Sequence, residues 1–207
     1  MKINIAATKT NLFKMRKSLD LTREGHDLLD EKRRILLEEL TALVDAVDRL
    51  QTETDDALTK AYAQLDRAIV FMGKNRVEDI SLSMDIENQL TISHRRIMGV
   101  HLPVIALKIV EKAPYFRSFD TSLSLDSAIK AFQDVVKLVA RLAEKKIALL
   151  RIAGEAQKTI RKVNALEKVY IPYYQESVKY ISDRLDEESR DAFALLKMIK
   201  NRRNINR

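Results

Sequence analysis

Apolar residues recur along the chain at alternating steps of three and four. From Leu12 the spacing collects Leu12, Met15, Leu19, Thr22, His26, Leu29, Arg33, Leu36, Leu40, Leu43, Val47, Leu50, Thr54, Ala57, Ala61, Gln64, Ala68 and Phe71, and 13 of these 18 are apolar. Sustained over that length, the stripe predicts a long helix in a left-handed supercoil. A second stripe runs through Ala128, Phe132, Val135, Val139, Leu142, Lys146, Leu149, Ala153, Ala156, Ile160 and Val163 and predicts a second helix. Beyond Val163 the register needs one three-three step to reach Leu166, Tyr170 and Tyr173. Pro172, which lacks an amide hydrogen, predicts a kink there. A last run, Leu185, Ala192, Leu195 and Ile199, carries helix almost to the end.

Between the two stripes the period falls to two. Leu90 and Ile92 alternate with Thr91 and Ser93, and Met98, Val100 and Leu102 alternate with Gly99 and His101. That is the strand signature. The simplest hairpin runs from Leu90 to Ser93, turns through His94-Arg95-Arg96, and returns from Ile97 to Leu102. The same alternation across Ile80, Leu82, Met84 and Ile86 fits either a further strand or the frayed end of a helix. Ser122 or Ser124 can cap the second helix, with Asp126 well placed in its first turn. The fold class is therefore all-α dominated: a long antiparallel two-helix coiled coil with a small β-hairpin insert at the turn end. Residues 1–76 form the first helix, 77–121 the insert, 122–203 the second helix with its kink near Pro172, and 204–207 a frayed tail.

Composition agrees. Four Gly and three Pro in 207 residues leave little room for a turn-rich sandwich, barrel or doubly wound fold. Ala, Leu, Glu, Lys and Arg make up about 47% of the chain, close to the half that marks long-helix proteins. Charge then orients the helices. Residues 38–66 carry a net −6 and residues 130–158 a net +4, and these stretches align only in an antiparallel hairpin. Exposed pairs contribute a few tenths of a kcal/mol each, so charge selects orientation while the apolar seam stabilises. A helix over residues 8–76 would be about 100 Å long, and the expected molecule is a rod with a mechanical, spacing or partner-binding role.

Catalytic chemistry finds little support. The absence of Cys removes thiolate nucleophiles and disulfides, and Gly73-Lys74 lacks the glycine-rich loop that cradles phosphates. His94 and His101 could face each other across the hairpin, but no third ligand accompanies them. His26 on the seam fits a register-fixing polar residue. Asp45, Asp48, Asp55 and Asp56 read as a solvated face. No metal, cofactor or catalytic residue is expected. The start, Met1-Lys2-Ile3-Asn4-Ile5, lacks a secretory core, and no apolar run is long enough to cross a membrane. Basic residues gather at both termini: Lys9, Lys14, Arg16 and Lys17 early, and Lys197, Lys200, Arg202, Arg203 and Arg207 late. In an antiparallel hairpin these ends meet, as a solvated tip or as a docking surface for an acidic partner.

Several segments together resemble the central-stalk family of V-type and A-type rotary ATPases, the D-subunit family. They are Thr8-Lys9 with Leu12, Lys17 and Leu19; Gly25 with Leu28-Leu29 and Lys32-Arg33; Ile97-Met98-Gly99-Val100 with Pro103; and Arg161-Lys162-Val163-Asn164-Ala165-Leu166-Glu167 leading to Ile171-Pro172. The last is the most specific. Ala7 departs from the family, which usually has Pro there.

The resemblance implies a non-catalytic rotor axle on the cytoplasmic side, peripheral to the membrane. Its joined termini enter a head of A and B subunits, the F subunit clamps the coiled coil, and the hairpin end meets the subunit capping the membrane ring. The expected head bearing comprises Lys9, Lys14, Arg16, Arg161, Lys162, Lys197, Lys200, Arg202 and Arg203. The expected contact with the F subunit comprises Val47, Leu50, Ala57, Ala61, Val135, Val139 and Leu142. Direct binding of nucleic acid and insertion into the membrane are not expected. The alternatives are a prefoldin-like chaperone or a basic nucleic-acid-binding coiled coil; an F-type γ subunit would need a larger insert than residues 77–121.

Overall fold

The computed structural model describes residues 5–83, 88–110 and 123–205. Helix α1 spans Lys9–Met72, α2 Lys74–Ser83, α3 Leu123–Ala165 and α4 Ile171–Ile205, with a π turn at Leu166–Tyr170 between α3 and α4. Strands β1 (Asn88–Ile97) and β2 (Val100–Ile109) form one antiparallel ladder.

Thr8 starts α1 as its cap: the Asn11 amide donates to Thr8 Oγ1 at 3.2 Å, satisfying one of the orphan donors of the first turn. The helix ends at Met72, short of the expected boundary at 76, because Gly73 takes a positive φ of 83° and its amide donates back to the Ile69 carbonyl at 2.8 Å. A residue with a side chain resists that conformation, and glycine terminates helices for this reason. Phe71, in the last turn of α1, is exposed and not part of the buried seam. Ile80 and Leu82 belong to α2, not to a strand, while Met84 and Ile86 lie outside the described residues, as does Ser122. Asp126 does lie in the first turn of α3.

The chain forms two compact units, one of residues 1–34 with 157–207 and one of residues 35–156. In the second unit the helices are antiparallel: the Tyr62 and Phe132 rings meet edge-on at 5.5 Å, and Lys146 Nζ donates to Gln51 Oε1 at 2.6 Å. Leu36, Leu43, Val47, Thr54, Ala61 and Ala68 are buried on α1, and Leu125, Ala128, Val135, Leu142, Ala148, Ile152 and Ala156 on α3. Thr54 hides its hydroxyl by donating to the Leu50 carbonyl at 2.6 Å. Ala68, Val77 and Leu125 form a separate cluster where α2 meets the pair.

The hairpin is inserted between α2 and α3, yet its turn end packs into the cluster of Leu36, Leu43, Ala148, Ile152 and Ala156 through Val100 and Leu102, with Ile97 beside them. Its strands therefore run back along the helices. The turn itself falls at Met98-Gly99, not at His94-Arg95-Arg96. Ile97 pairs with Val100, and Met98 and Gly99 have φ of 47° and 82°, the mirror-image two-residue turn whose twist matches that of paired strands. His94 accordingly pairs with Pro103 and His101 with Arg96, so the two histidines do not face each other.

In the first unit Leu19, Thr159, Val163, Ser177 and Ile181 are buried. Ser177 Oγ donates to the Tyr173 carbonyl at 2.7 Å. The expected irregularity near Pro172 is a wide turn: Pro172 cannot donate to the Lys168 carbonyl, and the Ile171 amide bonds the Leu166 carbonyl five residues back. This turn rotates Tyr170 off the seam to the exposed side. Tyr180 is exposed as well, whereas Tyr173 and Tyr174 are half-buried, with their rings 5.5 Å apart. Helix continues to Ile205, into the stretch expected to be a frayed tail.

Candidate functional site

Lys9, Lys14 and Arg16 stand exposed in the first turns of α1, Arg161 and Lys162 at the end of α3, and Lys197, Lys200 and Arg202 along the end of α4. All belong to the same unit. Arg203 lies on the last turns of α4, and its side chain is outside the described part. A count of basic residues omits the apolar ones interleaved with them. From 186 to 202 every residue of α4 is exposed, including Phe193 at 73%, Leu195, Leu196, Met198 and Ile199. Among the described residues nothing covers this apolar run, and contiguous exposed apolar patches are characteristic of interaction surfaces. The signal is present in the run Leu185, Ala192, Leu195 and Ile199, which by spacing alone looks the same as an internal seam.

The residues expected to hold a partner near the hairpin separate into groups. Val47, Ala61, Val135 and Leu142 are buried within their own unit, and Leu50 and Ala57 are half-buried. Val139 is 46% exposed. It belongs to another stripe on α3 with Val136, Ile147 and Leu150, all exposed. At about 100° per residue these four fall within a quarter-turn of the helix surface. A count in threes and fours from Ala128 passes beside them, and only Val139 is shared.

Two polar residues of α3 do work that the sequence pattern does not reveal. Glu144 Oε2 accepts the Ile105 amide of β2 at 2.9 Å, and Arg151 Nη1 donates to the His101 carbonyl at 2.8 Å. Both backbone groups point away from β1, so α3 holds the outer edge of β2 at these two positions. Pro103 falls between them at a position of the same parity, where the hydrogen it lacks would also have pointed outward, and the ladder to β1 loses nothing. His26 is half-buried, its Nδ1 at 3.1 Å from Asp27 Oδ1.

An apolar cavity of about 320 Å³ lies where Leu65, Val77, Ile80, Leu125 and Phe132 converge with the open end of the hairpin at Asn88 and Ile109. Among the described residues no three His, Cys, Asp or Glu side chains gather as a metal site would need. No described helix is long and apolar enough to cross a membrane.

Paired antiparallel helices, a hairpin folded against them, and exposed basic and apolar faces define a coiled-coil subunit that presents surfaces to other chains. The chain belongs to the ATP synthase D-subunit family, whose model matches residues 11–201. It is 35% identical over 201 residues to the D subunit of the A-type ATP synthase of Thermococcus sibiricus, covering 96% of this chain and 94% of that one. It is 33% identical to the D subunit of the V-type ATP synthase of Thermotoga neapolitana, covering 96% and 98%. The D subunit of the A-type ATP synthase of Methanosphaera stadtmanae is 35% identical over 199 residues, covering 95% and 93%.

Proposed function

We propose that this chain is the central-stalk rotor subunit of a V/A-type ATP synthase, transmitting torque between the ATP-converting head and the ion-translocating membrane ring. The observation that carries this reading is the near end-to-end match to proteins named as ATP synthase D subunits. The architecture suits the task. Two helices joined by an apolar seam resist twisting better than one, because twisting must also shear packed side chains such as Leu36 against Ile152.

Within that role, Lys9, Lys14, Arg16, Arg161, Lys162, Lys197, Lys200, Arg202 and Arg203, with Phe193 and its apolar neighbours, form the surface that turns inside a head of A and B subunits. The F subunit docks on the face of α3 that holds Val139 with Val136, Ile147 and Leu150. The hairpin-bearing unit meets the subunit capping the ring. The chain performs no chemistry itself and works at the cytoplasmic face, peripheral to the membrane.

Co-expression with the A, B and F subunits from the same source tests this. The expected product holds one copy of this chain and hydrolyses ATP with rotation. Leu150→Asp should release the F subunit from the isolated pair without unfolding this chain. A head that assembles and rotates equally well without this chain would end the proposal.

A further inference from the structure

The ladder register divides the backbone groups of the hairpin into two sets. Ile97 and Val100 close the two-residue turn as a hydrogen-bonded pair, so Arg95 and Leu102, Ser93 and Val104, and Thr91 and Ala106 bond across the ladder as well. The alternate residues turn their amides and carbonyls outward. On β2 these are His101, Pro103, Ile105, Leu107 and Ile109, and Arg151 and Glu144 answer the carbonyl of His101 and the amide of Ile105. On β1 they are Leu90, Ile92, His94 and Arg96. Among the described residues nothing bonds them.

β1 is exposed along nine of its ten residues. Leu90 and Ile92 are 54% and 56% exposed, and they share a face with their half-buried partners Leu107 and Ile105. Proteins ordinarily blunt such an edge with a proline, a bulge, a short strand or a charge. From Asn88 to Ser93 β1 has none of these, and the strand contains no acid anywhere. Its charge lies in Arg95 and Arg96 at the turn end.

We infer that the free edge of β1 receives an extended segment of a partner polypeptide as a third strand, with carboxylates at the end beside Arg95 and Arg96 and apolar side chains over Leu90 and Ile92. Main-chain hydrogen bonds to Leu90, Ile92, His94 and Arg96 give such strand addition its strength, and the apolar face and the arginine pair select the sequence. A second copy of β1 meets these demands poorly. Paired antiparallel, with outward residue opposite outward residue, it sets Arg96 against Leu90 and Arg95 against Thr91, and paired parallel in register it sets arginine beside arginine. An acidic partner satisfies both ends of the strand. The inference needs only the hairpin and does not depend on the assembly that the chain joins.

The test uses the full-length protein and a synthetic peptide of about nine residues, a usual strand length, with a glutamate pair at its N-terminus followed by alternating valine and threonine. Amide exchange resolved by residue should slow at Leu90, Ile92, His94 and Arg96 when the peptide is added, while Thr91 and Ser93, already paired within the ladder, change little. Replacing the glutamates by lysines should weaken the effect roughly tenfold. The same peptide N-methylated at alternate positions should have no effect, because it cannot complete the ladder. Ile92→Lys, exposed and harmless to the β1–β2 bonds, should abolish binding while Ile105 stays protected. Equal protection by the methylated peptide, no alternation along β1, or self-association of the protein through β1 would each overturn the inference.

Discussion

The two strands of the hairpin have the same length and opposite circumstances. β2 places Val100 and Leu102 in the cluster with Leu36 and Ile152, and α3 holds its outer edge through Glu144 and Arg151. Of the described apolar residues of β1, Ile97 alone packs against that cluster. An isolated two-stranded hairpin is marginal in water. β2 is therefore a third element of the helix pair, and β1 is carried on it as a presented strand. Leu102 tests this most severely. It is 1% exposed, and Leu102→Ala should destabilise the chain by about 2–5 kcal/mol, as cavity-forming substitutions do. Urea unfolding of the full chain measures this, and a loss no larger than that of Leu90→Ala would remove the distinction between the strands.

Next in size is the edge clamp. Glu144→Ala leaves the partly buried Ile105 amide without an acceptor, at a cost of about 1–3 kcal/mol. Glu144→Gln keeps an acceptor oxygen and should recover most of the loss. Exchange of the Ile105 amide is the direct readout: it should accelerate in the alanine variant and remain slow in the glutamine one. Unchanged exchange in both variants would show that β2 rests on its apolar face alone.

What can be seen in the sequence follows from which forces are periodic. Leu36, Leu43, Val47, Ala61 and Ala68 are visible because a seam between two helices repeats in threes and fours, and they are buried. The hairpin is visible through its period of two, but its turn is not. A two-residue loop barely interrupts alternation, and His94-Arg95-Arg96 resembles a loop because it is polar. The structure gives another reason for that polarity: β1 is open to solvent on both faces. The return of the hairpin along the helices leaves no local trace, since it depends on the match of Leu102 to residues far away in sequence. The π turn is half visible, as a register step near Pro172. Among the candidate interaction residues, isolated basic positions are visible through charge alone. The seam residues Val47, Ala61, Val135 and Leu142 suggest a partner contact from sequence, although the chain's own helices bury them first. The open stripe of Val136, Ile147 and Leu150 lies beside the count that would have found it.

Met98 offers a gain instead of a loss. Its φ of 47° belongs to the left-handed region, where a residue with a long side chain is disfavoured by about 1–2 kcal/mol. Asparagine tolerates that conformation and, followed by glycine, suits this turn. Met98→Asn should therefore stabilise the full chain by about 0.5–1 kcal/mol, visible as a rise in Tm. A decrease would mean that the half-exposed Met98 side chain contributes more by packing than its backbone costs.

The smallest expected effect discriminates most sharply between the strands. Ile92 sits opposite Ile105, and its side chain is more than half exposed. Ile92→Thr keeps a β-branched side chain suited to a strand and removes apolar surface that the chain itself hardly buries. Stability should move by no more than about 0.5 kcal/mol, the range of ordinary surface substitutions. Ile105→Thr, across the same pair but half-buried beside α3, should cost distinctly more. If the two changes cost the same, burial is shared evenly across the hairpin and β1 is part of the packed structure. If Ile92→Thr is silent in the isolated chain and costly only where another polypeptide is bound, its isoleucine serves that contact and not the fold.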